Sequence, residues 1–369
     1  AASKKIEFMR FITLVAIYLL FIANCLAQNK LEMFFSSDVQ LESKVDSIFW
    51  QLSNTEKVAQ MIMPAVGKHG KPVSEVIDLI KQRKVGGILL LNGTKAEFSQ
   101  LVIKLDSIGK LYGNLPFLYS ADAEPSLIRY KIKGCAKVPK ANEHQSEIEV
   151  INTANSISSD LVDIGINYNF APVVDQGNMN AAITNRSFGS NVDSISLWSN
   201  AFIQASQKMG VIATAKHFPG HGLVHGDTHE KLVYIDGILQ EAVNYKSLIS
   251  AGVLSIMVGH IAVKNNPKYG TSGLPATCSK KIVTNLLKEE LKFKGLIVTD
   301  AMNMGGVRNV TDCGIKAVDA GCDILLMPVD ENKEIQNLLR KYEISESFQR
   351  RVDEAVKKII RVKVCLGIL

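Results

Sequence analysis

The stretch "KHFPGHGLVHGDTHEK", residues 216–231, gathers His217, His221, His225 and His229, four of the seven histidines in the chain. Imidazoles four residues apart could ligate a metal from one helical face, sit as a solvated loop, or move protons. Pro219 and Gly220 break any helix here, and Phe218 stands where an H-E-x-x-H metal motif needs its acid. No metal and no other cofactor is therefore expected. Glycines at 220, 222 and 226 instead describe a loop leaving the strand-like run "ATAKHF".

Asp227 and His229 lie two apart, a spacing that in an extended loop sends both side chains to one side. There the carboxylate can orient the imidazole and stabilise its charge, which makes a proton donor and acceptor near neutral pH. Lys216 and His217, fixed at the strand end, are placed to hold hydroxyl groups of a substrate. Asp300, after "GLIVT", adds a carboxylate. Cleaving a glycoside with retention needs such a nucleophile opposite a proton donor.

These residues must be brought together by the elements that carry them. Short apolar runs alternate with amphipathic stretches, the pattern of βα units on a parallel sheet. The runs are 59–64, 86–91, 117–122, 167–175, 213–218, 254–260, 296–300 and 324–328. Between them lie helix-like segments such as "VSEVIDLIKQRK", "LWSNAFIQASQKMG" and "KKIVTNLLKEELKFKG", the last two ending in a glycine that reads as a helix stop. The segment "SESFQRRVDEAVKKIIRVK" reads as a closing helix. Asp122, Asp175, Lys216 with His217, His260 and Asp300 all fall at strand ends. In a closed α/β barrel those ends converge on one mouth, so the fold expected is a (β/α)8 TIM-type barrel forming a single catalytic domain. An open doubly wound sheet is the alternative, but no G-x-G-x-x-G or Walker-type sequence follows any strand.

The bulk properties agree with a globular enzyme and exclude several other classes. Hydrophobic residues make up 47% and charged residues 21% of 369, with no low-complexity tract. The net charge of +6 is spread along helical stretches, which reads as a solvated surface and not as a nucleic-acid site. Near the start, Lys4, Lys5 and Arg10 precede "FITLVAIYLLFIA" and then "CLAQ". Residues 1–27 thus read as a signal peptide for an exported protein, periplasmic or extracellular, with residues 28–369 as the barrel. An uncleaved membrane anchor is the other reading of that leader, and the only membrane association expected. Cys135, Cys278, Cys313, Cys322 and Cys365 show no metal-type spacing and no disulfide framework, and read as core or isolated thiols.

The same residues carry a resemblance. The chain resembles family 3 glycoside hydrolases, specifically the single-domain β-N-acetylglucosaminidases, in which K-H-F-P-G-H-G is followed after four residues by D-[ST]-H. Here Lys216 to Gly222 and then Asp227-Thr228-His229 stand in that register. "VGGILLLNGT", "NFAPVVD", "NRSFGSN", "SIMVGH", "LPATCSKKIVTNLLKEELKFKGLIVTDAMNM" and "AGCDILLMP" extend the match over almost all of the chain after the leader. The resemblance implies a barrel fold and a retaining exo-β-N-acetylhexosaminidase acting on a carbohydrate substrate, a glycan containing N-acetylglucosamine such as a cell-wall fragment. It implies Asp300 as nucleophile, His229 oriented by Asp227 as acid/base, and Asp122, Arg186, Lys216 and His217 as sugar-binding residues.

Two departures stand out. Where the family reads D-x-E-G-G, this chain has Asp122-Ala123-Glu124-Pro125-Ser126, which is expected to reshape the loop beside the sugar. Leu223 and Val224 replace the D-T that commonly follows the last glycine of the histidine motif. Other readings stay open at this point: a family 3 enzyme of β-glucosidase-like specificity, a metal-dependent hydrolase using His217 to His229, a silent sugar-binding homologue, and phosphate in place of water as acceptor.

Overall fold

In the computed structural model, residues 31–177 and 179–369 are described, so the leader expected at 1–27 lies outside them. Among the described residues the eight strands close into a barrel, all of them parallel. We label them β1 (Ile62–Met63 with Ala65–Val66), β2 (Gly87–Leu90), β3 (Leu118–Ala121), β4 (Tyr168–Asn169), β5 (Ile212–Phe218), β6 (Ser255–Val258), β7 (Leu296–Thr299) and β8 (Leu325–Leu326). Neighbours in sequence are neighbours in space from β1 to β7, with Ala65 opposite Leu89, Gly87 opposite Leu118 and Ser255 opposite Leu296. Closure comes from β8, where Ile324 bridges Val298 and Leu325 pairs with Ile62. Pro64 explains why β1 is in two pieces: lacking an N–H it ends the ladder to β8, while its carbonyl still accepts from Leu89 N at 2.9 Å.

The expected runs are therefore all strands, with one shift. "AQMIMP" begins too early, because Ser53 and Glu56 form a capping box that starts a helix running to Gln60. Helices fill the outer ring between strands: Val73–Lys81, Lys95–Leu111, Glu147–Ile164, Val192–Lys208, Asn244–Ser250, Lys281–Glu290 and Cys313–Ala320, followed by Glu331–Ile344 and Glu346–Cys365. Gly210 does follow a helix end, at φ 84°. Gly295 does not, since its helix stops at Glu290. A Cβ at Gly295 would instead meet Leu254 O at 2.4 Å, so that glycine permits a close approach to β6.

The closing helix Glu346–Cys365 packs on the helix Val39–Gln51, and its Arg361 donates to the carbonyl of Phe34 at 2.6 Å, tying the N-terminal segment to the barrel wall. The barrel interior is filled by buried side chains, with the Tyr168 hydroxyl satisfied by Ser255 Oγ at 2.6 Å. That packing leaves the C-terminal strand ends as the open face. Among the described residues no helix is long and apolar enough to cross a membrane.

Candidate active site

At the C-terminal mouth, one cavity of about 480 Å³ is lined by Asp122, Arg186, Lys216, His217, Asp227, His229 and Asp300. Every residue expected for the site is present in that lining, although they come from the ends of four different strands, β3, β4, β5 and β7. The volume suits a sugar ring and is within the range of ordinary ligand pockets.

One wall is an ionic network. Lys216 Nζ lies 2.9 Å from Asp122 Oδ1 and 2.6 Å from Glu124 Oε1. Arg186 grips Glu124 with two bonds, Nε to Oε2 at 2.8 Å and Nη2 to Oε1 at 2.7 Å. Glu124 is fully buried; burial pushes its carboxyl up, but the charges of Arg186 and Lys216 outweigh this and hold it well below the usual range. Burial likewise pulls the Lys216 ammonium down, and the carboxylates of Asp122 and Glu124 outweigh it, so the cation is held. Asn169 on β4 pins the loop that bears the acids, accepting from Ala123 N at 3.0 Å and donating to Ala123 O at 3.2 Å. Asp122 and Glu124, two apart, thus reach the same network.

The loop expected to be reshaped by Pro125 and Ser126 keeps this network. Neither residue has positive φ, so the conformational freedom of glycine is unused here. The Ser126 hydroxyl adds bonds of its own, donating to Asn185 O beside Arg186 and accepting from Ala141 N at 2.9 Å. Serine therefore ties the loop bearing Asp122 and Glu124 to the loop bearing Arg186.

Lys216 and His217 are adjacent on β5, and plain alternation would turn them to opposite faces. The register against β6 shifts here: Ala215 pairs with Ile256 but Phe218 with Val258. The extra residue on β5 is a bulge, which re-aims side chains and lets both line the cavity. The Lys216–His217 and Phe218–Pro219 peptides are cis. Behind them, Asp175 accepts from His217 Nδ1 at 2.7 Å and from His221 N at 2.9 Å. Burial raises the Asp175 carboxyl, but the two histidines outweigh it and keep it ionised.

Asp300 closes β7. Its Oδ1 accepts from Ala301 N at 2.8 Å. Burial raises its pKa, yet His217, His260, that N–H and Lys216 together outweigh the effect, leaving the carboxyl below its ordinary value. An ionised carboxylate at the mouth is a competent nucleophile.

The Asp227–His229 pair sits on the loop after β5. His229 Nδ1 is 2.6 Å from Asp227 Oδ1, and the same oxygen accepts from His229 N at 2.9 Å. Burial of Asp227 is outweighed by the His229 N–H and ring, so its pKa falls and the carboxylate fixes the proton on Nδ1. Nε2 is then the ring nitrogen left able to exchange a proton. Both side chains are exposed, His229 at 67% and Asp227 at 41%.

Three anchors hold that exposed loop. At its entry, the buried Glu241 carboxyl, whose pKa burial and the nearby Asp175 push up to about 8, accepts from Gln176 N at 2.7 Å, Gly222 N at 3.1 Å and Leu223 N at 3.1 Å. Gly222 is needed for this approach, because a Cβ there would lie 1.9 Å from Gln176 O. At its exit, Val233–Asp236 pairs in parallel with Ile261–Lys264. Midway, Gly305 N donates to His229 O at 2.9 Å and Gly306 N to Thr228 O at 3.0 Å, so the segment following Asp300 is the seat of the Asp227–His229 pair.

The four histidines of the motif do not converge. His221 is buried, with Nδ1 accepting from Asn180 at 2.9 Å and Nε2 donating to Thr228 Oγ1 at 3.1 Å. His225 lines a separate cleft with Leu223, Val224 and Tyr234. Among the described residues no group of three or more His, Cys, Asp or Glu side chains has the arrangement of a metal site. Leu223 and Val224 act away from the dyad: Leu223 supplies the N–H to Glu241, and Val224 packs on Val233 and Ile261. His260, expected at the mouth, lies behind it and spans Thr277 Oγ1 (2.8 Å) and Ala301 O (3.0 Å). Glu124, Asp175, His221 and Glu241 were not among the expected site residues. Asp175 and Glu124 had a signal, a strand-end acid and an acid two positions after Asp122; Glu241 had none.

Residues 53–362 match the model of the glycosyl hydrolase family 3 N terminal domain. The chain belongs to glycosyl hydrolase family 3 and is a glycoside hydrolase. It is 28% identical over 300 residues to a beta-hexosaminidase of Vibrio cholerae serotype O1, covering 75% of this chain and 89% of that one. Among solved structures it is similar to a family 3 beta-N-acetylglucosaminidase from Paenibacillus sp. (27% identity, TM-score 0.78), covering 86% of this chain and 63% of that longer one. A beta-N-acetylhexosaminidase from Beutenbergia cavernae matches with 25% identity and a TM-score of 0.75, over 86% of this chain and 99% of that one.

Proposed function

We propose that this chain hydrolyses terminal β-linked N-acetylglucosamine from glycans, cell-wall fragments among them, with retention at the anomeric carbon. The supporting observation is that Asp300 and the Asp227–His229 pair, from two different barrel loops, line one cavity of sugar size. In this reading Asp300 attacks the anomeric carbon while His229 Nε2 protonates the leaving oxygen. The glycosyl ester then breaks down as Nε2 takes a proton from water. Asp227 stabilises the imidazolium through the 2.6 Å contact to Nδ1. Asp122, Arg186, Lys216 and His217 hold the sugar hydroxyls, and the Glu124 network keeps them fixed. The relatives named above, described as a hexosaminidase and N-acetylglucosaminidases, support the choice of sugar. The leader at 1–27 supports an exported location, which belongs to the proposal.

A panel of aryl glycosides tests the specificity. The N-acetylglucosaminide is expected to exceed the glucoside in kcat/KM by at least tenfold, or about 1.4 kcal/mol of transition-state discrimination. Equal or faster turnover of the glucoside would assign another sugar.

A further inference from the structure

Behind the nucleophile lies a pair of sulfurs that the glycosidase chemistry does not use. Cys278 and Cys313, 35 residues apart, place their Sγ atoms 3.5 Å from each other, and Cys278 Sγ also approaches Cys313 O at 3.7 Å. Cys278 is buried and Cys313 half-buried at the surface end. We propose that these two thiols are a disulfide site that staples the nucleophile-bearing segment to the wall of the barrel.

The placement gives the bond its consequence. Cys278 packs with Met302 and Val307 of the segment after Asp300, and Cys313 ends that segment as the first residue of its helix. The cross-link would enclose β7, Asp300 and the Gly305–Gly306 seat of His229. Thr277, next to Cys278, bonds His260, whose other nitrogen holds Ala301 O beside the nucleophile. A disulfide needs its sulfurs about 2.05 Å apart, so closure asks for a movement of about 1.5 Å, taken up by side-chain rotation and the loop end at Asp312. The third nearby thiol, Cys322, is fully buried and directed to Thr277 O at 3.6 Å.

The oxidant is a small disulfide such as oxidised glutathione. The accessible Cys313 attacks it as thiolate, forming a mixed disulfide and releasing one glutathione thiol. Cys278, deprotonated, then attacks Cys313 Sγ and expels the second. Two protein thiols lose two protons and two electrons, and one glutathione disulfide becomes two thiols. Contact with the Cys278 sulfur and burial both push the Cys313 thiol up, so exchange is expected to be slow and to need alkaline incubation.

The full chain is incubated with oxidised glutathione or with dithiothreitol, quenched by alkylation, and mapped by non-reducing mass spectrometry. The expected result is a Cys278–Cys313 linked peptide, a thiol titre in denaturant lower by two, and an unfolding midpoint higher by about 5 °C, as closure of a loop of this length predicts. Cys313→Ser is expected to lose the link and the shift together. Both cysteines alkylated after oxidation, glutathione retained on Cys313 alone, or a link made through Cys322 would each overturn the proposal. Because the readout is chemical, its outcome is independent of whether the sugar assigned above is correct.

Discussion

The contact that holds His229 can be disturbed without touching any side chain of the proposed mechanism. Gly305 has no positive φ, so alanine fits its backbone, but an alanine Cβ would stand 2.1 Å from Glu230 O, 2.4 Å from Glu230 C and 2.9 Å from His229 O. Side-chain carbons essentially never come closer than 3.0 Å to such atoms, so the 228–230 segment must retreat by about 1 Å. A displacement of that size at a proton-transfer group costs about 100-fold in rate, or about 2.7 kcal/mol of barrier. The assay is kcat/KM for Gly305→Ala on aryl N-acetylglucosaminides of graded leaving-group ability. Poor leaving groups, which need protonation, are expected to fall by about 100-fold. Activated ones, which leave unaided, are expected to stay within a fewfold. Equal losses across the series, or no loss with the poor leaving groups, would refute the claim that this contact seats His229.

Two further predictions concern buried charge. Glu124→Gln breaks a buried ion pair and is expected to cost about 3–5 kcal/mol near neutral pH, read by denaturant unfolding. Because the Glu124 pKa is depressed in the folded state, the unfolded chain protonates first on acidification. Its stabilisation is therefore complete above about pH 4.5 and lost as pH falls toward the folded value, a dependence the variant should lack. At the opposite end of the barrel, Lys363 donates to Gln60 Oε1 (2.7 Å) and Gly86 O (2.9 Å), and burial lowers its pKa to about 7. Between that value and the ordinary lysine value of 10.5 the unfolded chain holds the extra proton, so stability rises with pH. The stability of wild type relative to Lys363→Met should rise by roughly 2–3 kcal/mol from pH 7 to pH 9; a pH-independent difference would show that burial does not depress the Lys363 pKa and that the ammonium stays charged in the folded protein.

Much of this architecture was legible because the barrel writes itself in apolar runs of strand length. The chemistry fell at their C-terminal ends, so Asp122, Lys216, His217 and Asp300 could be placed on one mouth from spacing alone. The Asp227–His229 pair was legible for another reason, since a two-residue interval in a loop is local geometry. What stayed hidden is held by contacts between distant segments. The Glu241 clamp on Gly222, the seat made by Gly305 and Gly306, and the Cys278–Cys313 contact join residues whose own neighbours in sequence give no cue. The bulge at Lys216 was hidden as well, because it arises from the register between β5 and β6. At the Pro125–Ser126 departure the residue types signalled a change but not its content, which is a serine hydroxyl bonded to Asn185 O and Ala141 N.

The central claim is that Asp300 attacks the sugar. Incubating the enzyme with a 2-fluoro or 5-fluoro N-acetylglucosaminide-type probe, whose glycosyl ester breaks down slowly, and mapping the modified peptide by mass spectrometry tests it directly. The expected adduct is a single glycosyl ester on Asp300, formed with time-dependent loss of activity and absent in Asp300→Asn. An adduct on another carboxylate, or inactivation that Asp300→Asn does not prevent, would contradict the account.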